Sequence, residues 1–257
     1  MPAIVRLVPC LSDNYAVLLH DDASGVTAII DAPEAAPIIA AAEAEGWTPS
    51  MVLVTHHHAD HVQAIPELKA RYDLTIVGPK AEGASIPDLD IAVSDGDEVK
   101  VGALVAQVLS LPGHTAGHAV YLFTAEKLLF AGDTLFSLGC GRPFECPPAV
   151  LWHSLERLRE LPDDVRLYCG HEYTQANARF ALSVDPDNEI LKTMAQAIDA
   201  RRAAAEPTLP SLLGLEKQAN PFLRADDAAL AGRLGLAGAP AEDVFTELRA
   251  RKNDFRG

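Results

Sequence analysis

The stretch "THHHADH", residues 55–61, places four histidines and an aspartate within seven residues. It follows the apolar run Met51–Val54, which predicts a buried strand. A loop that leaves a strand end often carries functional side chains, because the strand holds the loop rigidly. Alternate side chains share a side in extended backbone, so His56 and His58 should face one way and His57 the other. The spacing predicts a metal site rather than a solvated polar turn.

Three further segments repeat this construction. His114 in "LPGHTAGH" (111–118), Asp133 in "LLFAGDT" (128–134) and His171 in "LYCGHEYT" (167–174) each follow an apolar run and lie in a loop that contains glycine. Strand ends that converge on one edge of a sheet form a cavity. Imidazole and carboxylate ligands there favour zinc, iron or manganese over calcium.

Composition and charge narrow the class of protein. The chain has 257 residues, of which 49% are apolar and 22% charged, as in a globular protein. The formal charge of −15 repels phosphate backbones and anionic membranes, so we expect neither nucleic acid nor a membrane as a partner. No apolar run approaches the roughly 20 residues that span a bilayer. The first 15 residues lack the pattern of a secretion signal.

The cysteines indicate the compartment. Cys10, Cys140, Cys146 and Cys169 are scattered and form no CxxC pair, which favours reduced thiols and a cytoplasmic protein. Cys140 and Cys169 lie near motifs, and we interpret them as packing residues rather than nucleophiles. We expect a monomer.

Two regions of the chain differ in composition and in predicted secondary structure. Short β-like runs dominate the first, including "YAVLLH", "VTAIID", "DLTIVG", "VAQVLSL" and "AVYLF", with helix-like stretches near 34–45, 62–72 and 147–161. After about Tyr173 alanine rises and helical patterns take over. We therefore predict a mixed α/β domain over 1–172 and a helical domain over 173–257.

These motifs resemble a known family. THxHxDH with a distant GH, GD and GH resembles the metallo-β-lactamase superfamily. "AGDTLFSLGCGR", "YCGHEYTQANARFAL" and "LRARK" narrow the resemblance to glyoxalase II, the hydroxyacylglutathione hydrolases, over nearly the whole chain. The resemblance implies an α/β fold, the αββα sandwich of that superfamily, followed by a helical glutathione-binding domain.

The resemblance also implies a ligand set. Two divalent metal ions, zinc first with iron or manganese as alternatives, would be bound by His56, His58 and His114, by Asp60, His61 and His171, and by Asp133 as the bridge. Asp60 and Asp133 would be the catalytic carboxylates. His57 falls outside this set, and we interpret His118 as a structural hydrogen-bonding residue. His20 and His153 belong to no motif and are expected at the surface.

The activity that the resemblance implies is hydrolysis of S-D-lactoylglutathione to D-lactate and glutathione, the second step of methylglyoxal detoxification. A metal-bound hydroxide, available near neutral pH because the metal lowers the pKa of water to about 7, would attack the thioester. The thiolate leaving group has a parent pKa of about 8.5 and needs no strong general acid. This agrees with the lack of a Ser-His-Asp or Cys-His motif.

An anionic substrate needs a local positive patch on so acidic a protein. Arg142 and the tail cations Arg249, Arg251 and Lys252 are the candidates. The resemblance implies a glutathione pocket lined by Arg142, Phe144, Tyr173, Arg249 and Lys252. The alternative interpretation of "RARK" is a cationic last turn that complements the helix dipole. The chain departs from the family at "FECPP" (144–148), where two prolines should stiffen the loop.

Three other functions compete with hydrolysis. A glutathione persulfide dioxygenase of the same superfamily is the main rival, but such proteins generally lack the helical tail with RxxK. A superfamily ribonuclease is disfavoured by the negative charge. A non-catalytic metal- or glutathione-binding protein is disfavoured by the intact set of seven ligands.

Overall fold

The computed structural model describes residues 3–257. Met1 and Pro2, which belong to the segment expected to lack a secretion signal, lie outside the described residues. The chain divides into two compact units. Unit 1 runs to Leu111 and resumes over Ala116–Gly132, and unit 2 comprises Pro112–Thr115 and Asp133–Gly257. The predicted boundary at residue 172 marks a change of composition and stays a prediction.

The first sheet of unit 1 has the strand order β1-β2-β3-β4-β5-β6. The strands are β1 (Ala3–Cys10), β2 (Asn14–Asp21), β3 (Val26–Ile30), β4 (Pro49–Leu53), β5 (Thr75–Pro79) and β6 (Ile91–Val93). The first three are antiparallel, and β3 to β6 are parallel. Because Ile30 pairs with Leu53, the segments that leave β3 and β4 start side by side.

Helices form the crossovers that parallel strands require. They are α1 (Ala35–Glu45), α2 (Ala59–Val62) and α3 (Ile65–Arg71), with a 3-10 helix over Lys80–Ser85. Ile38 of α1 and Leu68 of α3 pack with Leu18, Ile29 and Val52 of the sheet in one apolar core. This burial explains why these strands read as continuous apolar runs.

One predicted helix is divided into two in the structure. The stretch near 62–72 was predicted to be one helix, but α2 ends at Val62 and α3 begins at Ile65. Pro66 occupies the first turn of α3. Proline has no N–H to donate and clashes in a helix interior, so it starts the second helix instead of continuing the first.

The second set of strands in unit 1 is antiparallel, in the order β10-β9-β8-β7. The bounds are β7 (Glu98–Val101), β8 (Leu104–Ser110), β9 (Ala119–Phe123) and β10 (Leu128–Phe130). The N–H of Ala119, at the start of β9, donates to the carbonyl of Thr55 at 2.9 Å. The histidine loop is therefore fastened to strands from both sets, since Thr55 follows β4.

Unit 2 is mainly helical. Its helices are α4 (Pro148–Arg159), α5 (Thr174–Val184), α6 (Glu189–Ala203), α7 (Leu213–Ala219), α8 (Ala228–Arg233) and α9 (Ala241–Asp254), with a 3-10 helix over Pro221–Leu223. Its strands form the hairpin β11 (Leu135–Phe136) and β12 (Gly139–Cys140) and the antiparallel pair β13 (Arg166–Tyr168) and β14 (Ser211–Leu212). Four aromatic rings form a continuous row in which neighbouring ring centroids are 5.7–5.9 Å apart, in the order Trp152, Phe245, Phe222 and Phe180. The prolines of "FECPP" start α4, with Pro147 as its N-cap. Over residues 3–257, every helix is too short or too polar to cross a bilayer.

Candidate metal centre

Asp31 fixes the start of the histidine loop. It follows β3 with a φ of +55°, in the left-handed region that aspartate and asparagine adopt more readily than other residues besides glycine. Its carboxylate accepts hydrogen bonds from the backbone N–H and the hydroxyl of Thr55, both at 2.8 Å. Asp31 was not predicted as a site residue, although its place at the end of "VTAIID" resembles that of Asp133 at the end of an apolar run.

Three imidazoles and a carboxylate of the loop lie close together. Nε2 of His56 is 3.1 Å from Nδ1 of His58, and the rings of His56 and His61 are 4.1 Å apart. Nε2 of His61 lies 3.8 Å from the carboxylate of Asp60, while its Nδ1 lies 2.8 Å from that of Asp31. A carboxylate behind the second ring nitrogen is typical of metal-binding histidines, because it fixes the tautomer and the ring orientation.

His57 has a different environment. Its backbone N–H donates to Glu82 at 2.7 Å, and its Nδ1 lies 3.0 Å from the same carboxylate. Glu82 is buried and also accepts the N–H of Gly117 at 3.0 Å. A Cβ at Gly117 would lie 2.5 Å from Cγ of Glu82, so this approach requires glycine. No motif points to Glu82, which connects the histidine loop to the segment before β9.

The remaining histidines divide between core and surface. His118 is fully buried and stacks on His56 with a centroid distance of 4.8 Å. His153 is exposed, as expected. The expectation for His20 was wrong, because His20 is buried against Trp47, with parallel rings 4.4 Å apart, and hydrogen-bonds to Thr27.

Unit 2 holds a second group of metal-capable side chains. Oδ2 of Asp133 lies 3.5 Å from Nε2 of His114 and 3.3 Å from Nε2 of His171. The Nδ1 of His114 donates to the carbonyl of Arg142 at 2.8 Å, which fixes the ring. A Cβ at Gly141 would collide with the backbone oxygen of Asp133. A carboxylate close to two imidazoles, one of them oriented by a backbone carbonyl, has the chemistry of a divalent-metal ligand.

His114 and Asp133 line a cavity of about 280 Å³ in unit 2. All five residues predicted to bind substrate line it as well, and the full set is His114, Asp133, Phe136, Cys140, Arg142, Phe144, Tyr173, Asn177, Arg249 and Lys252. Phe136 and Asn177 were not predicted. Arg251 lies outside this set and pairs with Glu247 at 2.8 Å.

The two tail cations of the cavity are held by backbone carbonyls. Arg249 is buried and donates to the carbonyl of Cys140 at 3.1 Å and to the side chain of Asn253 at 2.9 Å. Nζ of Lys252 donates to the carbonyl of Ala176 at 3.1 Å. Burial, with a further contribution from the Arg249 charge, lowers the pKa of Lys252 to about 8. The cavity therefore places the Arg249 guanidinium beside a lysine whose pKa is about 8.

Aromatic rings form much of the cavity wall. Tyr173 stacks on His171 with centroids 4.6 Å apart and an interplanar angle of 4°. Phe136 meets Tyr173 edge-on at 5.4 Å. Phe144 is 60% exposed, and the Arg142 guanidinium lies 5.6 Å from its ring centroid. This wall offers apolar area to a ligand next to the cations.

The cysteines near the motifs are buried, as expected of packing residues. Burial raises the pKa of the Cys140 thiol to about 11 and that of Cys169 to about 12. A thiol must ionise to act as a nucleophile, so both side chains are inert at neutral pH.

Comparison with known proteins identifies the class. The family model "Metallo-beta-lactamase superfamily" matches residues 15–171. The crystal structure of ETHE1 from Myxococcus xanthus aligns with a TM-score of 0.65 and 27% identity over 97% of this chain and 98% of that one. BLEG-1, a B3 metallo-β-lactamase, aligns with a TM-score of 0.65 at 20% identity over 86% of this chain and 99% of that one. The fold is that of the metallo-β-lactamase superfamily, which confirms the predicted fold class.

The second match identifies the family. The model "Hydroxyacylglutathione hydrolase C-terminus" matches residues 172–255. A hydroxyacylglutathione hydrolase of Bradyrhizobium sp. (strain ORS 278) is 58% identical over 98% of this chain and 99% of its own length. One from Rhodopseudomonas palustris (strain BisB5) is 55% identical over 99% and 100%. The chain belongs to the hydroxyacylglutathione hydrolase family.

Proposed function

We propose that this protein hydrolyses the thioester of S-D-lactoylglutathione to D-lactate and glutathione. The observation that carries the proposal is the lining of the unit 2 cavity, where the metal-capable His114 and Asp133 occur with the cations Arg142, Arg249 and Lys252. A cavity that combines metal ligands with cations suits an anionic substrate that carries a hydrolysable bond.

The relatives favour hydrolysis over persulfide oxidation. Relatives that are 58% and 54% identical, from Bradyrhizobium and Nitrobacter hamburgensis, are both hydroxyacylglutathione hydrolases. The matched C-terminal region includes Tyr173, Arg249 and Lys252, three of the residues that line the cavity. A glutathione persulfide dioxygenase is therefore the second candidate.

Two divalent ions, most simply zinc, complete the proposed site. The ligand sets are His56, His58 and His114 for one ion, Asp60, His61 and His171 for the other, and Asp133 as the bridge. Asp31 orients the imidazole of His61, and the Arg142 carbonyl orients that of His114, which supports this assignment. The same ligands accept iron or manganese.

The chemistry that divalent ions supply in such a site is hydroxide near neutral pH, because the pKa of water falls to about 7 on coordination. The protein residues position the reacting groups. Asp60 and Asp133, the two carboxylates of the ligand set, are the proposed catalytic residues. The amide of Asn14 donates to the Asp60 carboxylate at 3.0 Å and so fixes its direction. The thiolate leaves without a general acid, since its parent thiol has a pKa of about 8.5.

The other cavity residues bind the peptide part of the substrate. Arg249 and Lys252 would attract a glutathione carboxylate through charge-assisted hydrogen bonds. Tyr173 and Phe144 would pack against the peptide, and Arg142 would contribute the third cation. Their common place in one cavity supports these roles.

The test compares two reactions on the same preparation. Thiol release from S-D-lactoylglutathione is expected, with no oxygen uptake when glutathione persulfide is supplied. Elemental analysis should give about two metal ions per chain. Oxygen uptake without thiol release would replace this proposal with the dioxygenase.

The setting proposed for this activity is a cytoplasmic monomer. The four cysteines are free, which is compatible with a reducing compartment. Size-exclusion chromatography with light scattering tests the monomer.

A further inference from the structure

The hairpin β11–β12 forms part of the cavity wall. It supplies Phe136 and Cys140 to the lining, and it lies between Asp133 and Arg142 in sequence. Phe136 pairs with Gly139 across a two-residue turn, in which Leu138 has a φ of +54°. A hairpin this short is not stable alone, and a leucine at positive φ adds strain. Its position must therefore be set by other parts of unit 2.

Glu216 of α7 holds the turn. Its side chain is fully buried, and its carboxylate accepts the backbone N–H of Leu138 at 2.7 Å and the hydroxyl of Ser137 at 2.8 Å. The Ser211 hydroxyl donates to the same carboxylate. Burial raises the pKa of Glu216, and the donors around it oppose that shift. A buried carboxylate is costly unless it is hydrogen-bonded, so its presence here requires these partners.

Two asparagines complete what we call the polar clamp, defined as Glu216, Asn220 and Asn177. The Asn220 amide donates to the carbonyls of Phe136 at 3.2 Å and Gly139 at 3.0 Å. The Asn177 amide donates to the carbonyl of Ser137 at 3.1 Å. A Cβ at Gly139 would collide with Asn177, so the glycine permits this contact. Each residue from Phe136 to Gly139 is thereby bonded to the clamp.

The position of the hairpin decides where the cavity wall lies. The ring of Phe136 meets Tyr173 edge-on at 5.4 Å, and the Cys140 carbonyl receives Arg249 at 3.1 Å. Moving the hairpin would therefore shift an apolar surface and the acceptor that orients a cation.

We propose that Glu216 is a positioning residue for substrate binding: it holds the hairpin so that Phe136 and Cys140 form the wall against which the glutathione part of the substrate lies. The proposal rests on the hydrolysis proposed above. Glu216 contacts none of the proposed metal ligands among its described hydrogen bonds, so it should act on the recognition of glutathione and not on the reacting carbon.

The experiment uses full-length, metal-loaded protein and two substrates, S-D-lactoylglutathione and a small thioester that lacks the peptide. Glu216→Ala should raise KM for S-D-lactoylglutathione by about tenfold, because several hydrogen bonds to the wall are lost. Hydrolysis of the small thioester and the metal content should stay near wild type. Glu216→Gln should keep the KM for S-D-lactoylglutathione close to that of the wild type, since an amide can accept from Leu138 and donate to the two serine hydroxyls.

The matched control is Gln218→Ala, since Gln218 is exposed on the same helix and its side chain donates to Gly214 within that helix. If Glu216→Ala does not fold, Asn220→Ala and Ser137→Ala provide the same comparison with fewer lost bonds. Equal losses on both substrates, or an unchanged KM in the folded variants, would overturn the positioning role. A wild-type protein that is inactive on S-D-lactoylglutathione would overturn the proposed function, and this proposal with it.

Discussion

The carboxylate of Asp31 lies 2.8 Å from Nδ1 of His61, a residue 30 positions away. The contact is buried at both ends. It turns the opposite nitrogen of His61 toward Asp60, which lies 3.8 Å away. The geometry of the histidine loop therefore depends on a residue that belongs to no motif.

We expect Asp31→Asn to weaken metal binding about 10–100-fold, the usual cost of losing a carboxylate behind a metal-binding histidine. Asparagine tolerates the positive φ of this position, so the backbone should persist. Metal titration against a competing chelator measures the effect. Asp21→Asn is the control, since Asp21 is also buried and accepts a backbone N–H, from Ala103. Equal metal affinity in both variants would disprove the role of Asp31.

Asp133→Ala should abolish most hydrolysis. Asp133 lies within 3.5 Å of two imidazole nitrogens and is the proposed bridge, so its removal should affect both ions. We expect kcat/KM to fall by at least about a hundredfold, together with the metal content. A fully active protein with one ion, found by elemental analysis, would contradict the binuclear site.

His57→Ala should keep its metal and much of its activity. The ring of His57 lies against Glu82, and the backbone N–H that Glu82 accepts survives the substitution. His56→Ala and His58→Ala should lose both metal and activity. If all three variants lose metal equally, the proposed division of roles within the loop is wrong.

The KM for S-D-lactoylglutathione should rise as the pH increases through about 8. The pKa of Lys252 is lowered from 10.5 to about 8 by burial and by Arg249, so the lysine is a cation below that pH and neutral above it. Loss of one charge-assisted hydrogen bond to the substrate corresponds to an increase in KM of about 10–100-fold.

Lys252→Met should raise KM at neutral pH and remove this part of the pH dependence. The control is Lys192→Met, because Lys192 pairs with Glu189 on α6 and does not line the cavity. A KM that rises equally with pH in the Lys252 variant would mean that another group titrates.

The sequence predicted the parts of the site that are local. The histidine loop, the ends of the apolar strands and the tail cations each have a signal within a few residues. The five predicted substrate-binding residues line one cavity, although their roles stay predictions. The predicted strands that correspond to β2, β3, β5, β8 and β9 are present. They could be predicted because alternating or continuous burial leaves a recognisable pattern of apolar residues.

The supporting residues could not be predicted in the same way. Glu82 acts on His57 across 25 positions, and Glu216 acts on Leu138 across 78. Nothing in their neighbouring sequence distinguishes them from solvated glutamates, because only tertiary packing buries them. His20 was placed wrongly for the same reason, since its partner Trp47 lies on a distant segment.

The division of the chain has a consequence for protein engineering. Pro112–Thr115 belongs with unit 2 although unit 1 surrounds it in sequence, so no single cut separates the units. A fragment that starts at residue 173 would carry Tyr173, Asn177, Arg249 and Lys252, but not the other six residues that line the cavity. The proposed recognition of a glutathione thioester therefore could not be transplanted as a helical module, and a chimera would have to include the hairpin and the His114 segment as well.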